Sequence, residues 1–280
     1  MTIVDKVDHP VIGVHDLEAA RSAFARLGFV VPPAGKHEEW GTTNVCIMFP
    51  NDYLEIRGIA DATRFLAGLD KFLEKGEGFS GVAFSTANAT DSYQKCVEHG
   101  LEAHPPKELN RKLALSDKTL SLKFRTMALA PELHPGLTHA NLCEHLTPDV
   151  LRQPGWVDHP NGALGFRKLV GVVEDHDSAY VNYSRLLGAD RVHRFDKRLL
   201  LDFGRGAIIE LIDPSEASQR GEAQPARDPA YLASATIQVK SASRLTDLFL
   251  ENGIGFETNG KRVSIDPYDA AGARLHFEEK

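Results

Sequence analysis

The sequence predicts an α+β fold made of four copies of one strand–helix–three-strand (βαβββ) module. Two observations carry this prediction. The same order of apolar runs recurs four times along the 280 residues, and the last strand of each copy has a glutamate after two non-acidic residues. These glutamates are Glu55, Glu144, Glu210 and Glu278. Because four carboxylates at one place in four copies exceed what composition alone would give, duplication of one unit explains both observations.

The first module shows the pattern most clearly. An apolar run at residues 7–14 predicts a strand, and residues 16–27 carry apolar side chains at helical spacing. Asp16 suits the N-cap of that helix and Gly28 suits its C-terminal end. Three β-like runs then follow at residues 29–31, 43–49 and 53–57.

The other three modules repeat this order. Their first strands, helices and closing glycines are predicted at residues 81–84, 89–99 and 100, at 169–173, 177–187 and 188, and at 235–239, 243–252 and 253. Their later strands are predicted around residue 101 and at 120–127 and 138–145, at 191–195, 198–203 and 207–212, and at 255–258, 262–265 and 274–278. Between modules, residues 62–75 predict a helix, whereas 148–165 and 213–229 read as loops.

Composition excludes several classes of function. The net charge of −7 comes with no dense stripe of lysine and arginine, so nucleic acid is not an expected partner. No apolar run approaches the ~18 residues of a membrane helix. The three cysteines, Cys46, Cys96 and Cys143, are widely spaced and predict reduced thiols, which together with the absence of a targeting segment predicts a cytoplasmic monomer or homodimer.

A stretch near the N-terminus resembles a known family. The residues that carry the resemblance are the run 8–18, Leu27-Gly28-Phe29, His37, Gly41-Thr42, Asn44 and Tyr53-Leu54-Glu55. They are similar to the glyoxalase-like domain family of the vicinal oxygen chelate superfamily, which includes glyoxalase I, extradiol dioxygenases and bleomycin-resistance proteins. The resemblance implies that module pairs curl into two half-barrel domains, here residues 1–150 and 160–280.

The resemblance also implies a metal site in the N-terminal half. In the superfamily, ligands come from the first and last strands of each module, which here gives His9, Glu55 and Glu144. The matching position in the second module, Ser80 or Gly81, offers no strong ligand. One histidine and two carboxylates suit Fe²⁺, Mn²⁺, Ni²⁺ or Zn²⁺ with open positions for substrate oxygens, and Glu55 or Glu144 could then move a proton.

Other residues near this site leave alternatives open. Arg57 shares a strand face with Glu55, so it could neutralise Glu55 and abolish the metal site, or it could anchor an anionic substrate. The resemblance gives His37 a substrate-binding role in place of that of a surface-loop histidine, and Asn44 could hydrogen-bond the ligand or only stabilise a turn. His145 follows Glu144 directly and is expected to point away from the site.

These residues predict a glyoxalase- or dioxygenase-like protein that acts on a small oxygenated molecule through a divalent metal. The alternatives are a metal-free protein that binds a small molecule, as bleomycin-resistance proteins do, and a scaffold that has lost its site. The C-terminal half is expected to bind no metal, because Arg167 or Lys168 and Ser234 stand where His9 would be.

Overall fold

The computed structural model describes residues 3–115, 117–224, 226–228 and 230–280. The strands are β1 (Lys6–Gly13), β2 (Gly35–His37), β3 (Thr42–Met48), β4 (Tyr53–Ile59), β5 (Gly78–Ser85), β6 (Lys107–Ala114), β7 (Thr119–Ala128), β8 (Ala140–His145), β9 (Ala163–Val172), β10 (Val192–Phe195), β11 (Arg198–Leu201), β12 (Ile208–Ile212), β13 (Tyr231–Val239), β14 (Phe256–Asn259), β15 (Arg262–Ile265) and β16 (Arg274–Glu279). The helices are α1 (Leu17–Arg26), α2 (Leu69–Leu73), α3 (Ala89–Glu98), α4 (Pro148–Leu151), α5 (His176–Leu187), α6 (Pro214–Gln219) and α7 (Ala242–Glu251). Four modules with the predicted βαβββ order are therefore present.

The first two modules form a closed barrel. Its strand order is β1-β4-β3-β2-β6-β7-β8-β5. The modules meet along antiparallel β1 and β5, where Pro10 pairs with Val82, and again along β2 and β6, where His37 pairs with Arg111. The second contact joins the two free edges, so every strand of the barrel has a neighbour on both sides and the interior is enclosed.

The last two modules form a curled, open sheet. Its order is β10-β11-β12-β9-β13-β16-β15-β14, with β9 and β13 antiparallel at the centre. Ala217 of α6 packs with Val170, Val172 and Tyr231 in a small apolar cluster. The segment after β12 therefore covers apolar side chains of β9 and β13. The predicted α+β fold with two curved sheets is confirmed.

One apolar core joins the two halves. It contains Phe24 and Phe29 from the first module and Phe249 and Phe277 from the fourth. The Phe29 and Phe277 ring centroids lie 6.3 Å apart. His159, from the connection between the halves, accepts a hydrogen bond from Val30 N at 3.0 Å and donates one to the Met48 carbonyl at 2.9 Å.

Five local predictions were wrong. Residues 148–165, predicted as a loop, contain α4 and the start of β9, and residues 213–229, also predicted as a loop, contain α6. The run 29–31 is not a strand, and the first strand after α1 is β2. The apolar Phe29 lies in the core that the two halves share. The strand placed around residue 101 is β6, whose inward positions include a charged residue, Arg111, that hides its apolar alternation. The helix predicted at 62–75 is only α2, because residues before it form turns.

The cysteine prediction is confirmed, since Cys46, Cys96 and Cys143 are buried and unpaired. Within the described residues, no helix has the length and apolar character needed to cross a membrane.

Asp52 links the barrel to β9 and gives a first testable prediction. Its buried carboxyl accepts a hydrogen bond from Phe166 N at 3.2 Å, and burial raises its pKa to about 7. A carboxyl whose pKa is raised by folding binds more protons in the folded state. The contribution of Asp52 to stability is therefore full below the unfolded pKa near 4 and is lost as the pH rises towards 7, at up to about 1.4 kcal/mol per pH unit.

We expect Asp52→Asn to remove this dependence. Urea unfolding between pH 4 and pH 8 should show a smaller fall in stability with rising pH for the variant than for the wild type. Asp247→Asn, at an exposed position on α7, serves as the control and should keep the wild-type slope. Equal slopes for Asp52→Asn and the wild type would show that Asp52 is ionised in the folded protein across this range.

Candidate functional site

The N-terminal barrel encloses a cavity of about 680 Å³. Its polar lining includes His9, His37, Asn44, Glu55, Arg57 and Arg111. Near the β6–β7 turn, Leu113, Leu120 and Leu151 pack in an apolar cluster. Trp40 and the 61% exposed Phe65 lie at the rim with ring centroids 5.6 Å apart. The size and the mixed lining suit a small organic molecule with a few oriented polar groups.

A β-bulge in β1 turns two neighbouring side chains into the barrel. Val7 pairs with Phe84 and His9 pairs with Ala83, so Asp8 has no partner of its own on β5. In a regular strand, Asp8 and His9 would point to opposite faces; a bulge breaks that alternation. Both side chains are buried, and the strand brings a carboxylate and an imidazole to one place.

Asp8 lies between two histidines. His9 Nδ1 donates to Asp8 Oδ2 at 2.7 Å and His145 Nε2 donates to the same oxygen at 2.9 Å. Burial by itself would raise the pKa of Asp8, but the two histidines outweigh it and hold that pKa well below its usual value. Burial opposes protonation of His145, whereas Cys143 and Asp8 raise its pKa to about 10. The Cys143 Sγ lies 3.9 Å from His145 Nε2.

The network continues from His9 to Glu55. His9 Nε2 lies 3.2 Å from Glu55 Oε2, and the Tyr53 ring stacks on the His9 ring at 4.1 Å. Burial lowers the pKa of His9, but hydrogen bonds to Asp8 and Glu55 raise it by more. A proton on His9 Nε2 is therefore held beside the Glu55 carboxylate, at the surface of the cavity.

Glu55 is saturated by donors. Arg57 Nε and Nη2 bind its two oxygens at 3.0 and 2.8 Å, and Asn44 Nδ2 donates to Oε1 at 2.7 Å. Burial would raise the pKa of Glu55, yet Arg57 and His9 hold it well below the usual range. Of the two alternatives for Arg57, the buried ion pair with Glu55 is the arrangement in the structure.

His37 ends the network as a neutral ring. Its Nδ1 donates to Thr42 Oγ1 at 2.8 Å, and its Nε2 is 3.4 Å from Asn44 Nδ2. Burial lowers the pKa of His37 to about 4, more than the attraction of Glu55 can offset. A continuous series of polar side chains therefore crosses the barrel from Thr42 to Asp8.

Glu144 lies apart from the other two predicted ligands. It accepts hydrogen bonds from Ala89 N at 2.9 Å and Arg125 Nη1 at 3.1 Å. Its neighbours Cys143 and His145 line the cavity instead. The structure thus brings His9 and Glu55 together without Glu144. His145 was expected to point away from the site but faces it. Asn141, Cys143 and His145 lie at every second position of β8, and this alternation could have identified His145 from the sequence.

The donor atoms of Asp8, Cys143 and His145 lie within 4.8 Å of one another. Thiolate, imidazole and carboxylate are ligands of Zn²⁺ and Fe²⁺, and the protons of a thiol and an imidazole are what a metal displaces on binding. Glu55 fits a metal less well. The Arg57 guanidinium already binds both of its oxygens, and a metal there would be repelled by that charge.

The C-terminal sheet fills the corresponding positions with ion pairs. Lys168 Nζ lies 2.9 Å from Glu210 Oε2, and Arg220 Nη2 lies 3.1 Å from Oε1. Glu278 lies 3.4 Å from Arg167 and 3.7 Å from Arg262. Lys168, at a position that matches His9, thus pairs with Glu210, and the absence of a metal in this half stays a prediction.

Two paired βαβββ modules closed around buried histidines and carboxylates define a member of the vicinal oxygen chelate superfamily. Within it, the chain belongs to the glyoxalase-like domain family, whose family model matches residues 7–187. None of the curated proteins matches the sequence significantly.

Solved structures share the fold at low identity. A hypothetical protein from Staphylococcus aureus matches with a TM-score of 0.74 and 13% identity, covering 98% of this chain and 99% of that chain. A triple mutant of 4-hydroxymandelate synthase from Streptomyces coelicolor matches with a TM-score of 0.59 and 12% identity over 99% and 92%. A xylose isomerase-like TIM barrel/4-hydroxyphenylpyruvate dioxygenase fusion protein matches with a TM-score of 0.56 and 10% identity. The match covers 99% of this chain and 48% of that chain.

Proposed function

We propose that the N-terminal barrel is an enzyme active site that acts on a small oxygenated molecule with the help of a divalent metal held by Asp8, Cys143 and His145. The observation that carries the proposal is the cluster of these three donor atoms, within 4.8 Å of one another, beside a cavity that Cys143 and His145 line. The relatives by fold include a synthase and a dioxygenase fusion that act on small molecules by name.

Fe²⁺, Mn²⁺, Ni²⁺ or Zn²⁺ at this position would polarise a substrate oxygen as a Lewis acid. The chain's own residues supply the remaining functions. His9 holds a proton at Nε2 next to Glu55, and Glu55, which Arg57 keeps ionised, stabilises that proton on the His9 ring. Neutral His37 orients Asn44, which lines the cavity and whose unpartnered Oδ1 can accept a hydrogen bond from a substrate hydroxyl.

This ligand set differs from the one expected from sequence, His9, Glu55 and Glu144. The two ligand sets predict that different substitutions remove the bound metal. We expect protein loaded with Mn²⁺, Fe²⁺, Ni²⁺ or Zn²⁺ and desalted to retain about one ion per chain, and Cys143→Ala or His145→Ala to lower that content at least tenfold, since removing one of few ligands sharply weakens a site.

Glu144→Gln is the matched control, because it lies next to both ligands in sequence and faces Ala89 N and Arg125. It should retain the wild-type metal content by plasma emission analysis. Loss of the ion in Glu144→Gln with retention in His145→Ala would support the sequence-based set instead. Two ions per chain, one of them lost on Glu210→Gln, would contradict the prediction for the C-terminal half.

A metal-free binding protein is the second candidate. The bidentate pairing of Arg57 with Glu55 favours it, because this pair neutralises a carboxylate that the superfamily resemblance assigned to a metal. Wild-type protein that retains no ion after loading, yet is stabilised against heat by a small molecule, would support this candidate over the metal-dependent one.

A further inference from the structure

Arg111 is a buried cation in the wall of the barrel cavity. It points inward from β6, is 4% exposed, and lines the cavity. Its Nε has no hydrogen-bond partner, and no ion pair within the described residues involves its guanidinium. A charge removed from water without a partner costs free energy, so a protein keeps one inside where something else compensates it.

The position of Arg111 is built into the fold. It lies across from His37 on β2 and from Leu122 on β7. Gly35 of β2 makes room for it: a Cβ added there would come within 2.4 Å of Arg111 Nε. Strand β2 therefore lacks a side chain where the arginine lies, and the seam that closes the barrel also positions the guanidinium.

The other arginine that lines the cavity, the partly buried Arg57, already has a partner. Arg57 binds both oxygens of Glu55, which leaves Arg111 as the cation available to an incoming anion. Exposed Lys107 and Lys123 also line the cavity and add positive charge near its entrance. Phe124 lines the same wall and contacts the His37 ring edge-on at 6.0 Å, offering an apolar surface beside the charge.

We propose that Arg111 binds the oxyanion group of the molecule that occupies the barrel, which makes the ligand a small organic carboxylate or phosphate with an apolar body. The inference rests on the proposed function of the cavity. A guanidinium presents its N–H groups in a planar fork that matches two oxygens of a carboxylate or phosphate. Binding of such a group would give Arg111 the counter-charge that the chain does not supply.

Three related probes test the inference: phenylacetate, phenyl phosphate and the neutral phenylacetamide. Titration calorimetry and the fluorescence of Trp40, which lines the cavity, report binding. We expect at least one anion to bind wild-type protein about tenfold or more tightly than the amide, the ratio typical of one charge-assisted hydrogen-bond pair. The preferred anion identifies the oxyanion as carboxylate or phosphate.

Arg111→Gln should weaken binding of the preferred anion at least tenfold and leave amide binding within about twofold, and Arg111→Lys should recover part of the loss. Lys112→Gln is the matched control, because it removes the same charge from the next residue of β6, whose side chain faces outward to Glu38. It should bind as the wild type does.

The outcomes separate the two proposals. Equal binding of anion and amide, both unaffected by Arg111→Gln, overturns the oxyanion inference and leaves the cavity as a small-molecule site. Equal losses in Arg111→Gln and Lys112→Gln overturn it as well, since the effect would be one of net charge. No binding of any probe at millimolar concentration to folded wild-type protein counts against the cavity as a site for molecules of this kind, and against both proposals.

Discussion

Replacing Arg57 with methionine is expected to lower the free energy of unfolding by about 3–5 kcal/mol, because it leaves the buried Glu55 carboxylate without the guanidinium that binds both of its oxygens. Both Glu55 oxygens are bound by Arg57, and the Glu55 side chain is 4% exposed. Methionine fills much of the arginine volume, so the loss measures the charge rather than a cavity. Urea unfolding at pH 7 gives the value.

The double variant Glu55→Gln/Arg57→Met is the control for this result. Removing both charges should restore more than half of the lost stability, since the cost of Arg57→Met lies in the carboxylate that remains. A double variant no more stable than Arg57→Met alone would show that Arg57 stabilises the barrel through packing of its side chain and not through Glu55.

The modular fold could be predicted from the sequence because local patterns of apolar and capping residues determine each of its elements. The first helix of each module (α1, α3, α5 and α7) has a capping side chain; Asp16, for example, accepts hydrogen bonds from Glu18 N and Ala19 N as the pattern indicates. Closure of the barrel could not be predicted. It depends on three residues of β2, Gly35–His37, whose partner strand places Arg111 inside. Neither the three-residue β2, which begins with a glycine, nor β6, which has an arginine at an inward position, shows a regular alternation of apolar residues in the sequence.

The site could be predicted in part, for physical reasons that differ from residue to residue. His9, His37, Asn44, Glu55 and Arg57 all line the same cavity. Four of them lie on β2 to β4, where the strand register is unbroken, and His9 lies at the bulge of β1. Asp8 could not be found, because only the bulge turns it inward beside His9. On β8, the glutamate repeated in each module pointed to Glu144 as the site residue. The strand alternates its side chains between two faces, and Cys143 and His145 share the cavity face with Asn141.

The two halves show how one module can place the same glutamate in different surroundings. In the barrel, the β2–β6 contact closes the sheet and the interior holds polar side chains. In the second sheet, the chain between β12 and β13 lies over β9 and supplies Arg220 to Glu210. A carboxylate at the same place in the module is therefore part of a cavity network in one half and of an ion-pair cluster in the other.

Gly41 ties the start of β3 to the rim of the cavity. Its N–H donates to the Phe65 carbonyl at 2.9 Å, and its own carbonyl accepts from Ala60 N at 2.8 Å and Asp61 N at 2.9 Å. A Cβ at Gly41 would lie 2.1 Å from the backbone oxygen of Asp61. Since that oxygen belongs to the main chain, the segment that carries Phe65 would have to move.

We therefore expect Gly41→Ala to lower the free energy of unfolding by about 3 kcal/mol, through overpacking and loss of these hydrogen bonds. Chymotrypsin should also cleave after Phe65, at the rim, several times faster than in the wild type, because the displaced segment opens locally. Gly255→Ala is the control: a Cβ there meets nothing within 4 Å, so its stability and cleavage should match the wild type. If Gly41→Ala and Gly255→Ala unfold at the same urea concentration and are cleaved at the same rate, Gly41 is not the residue that holds the rim against the barrel.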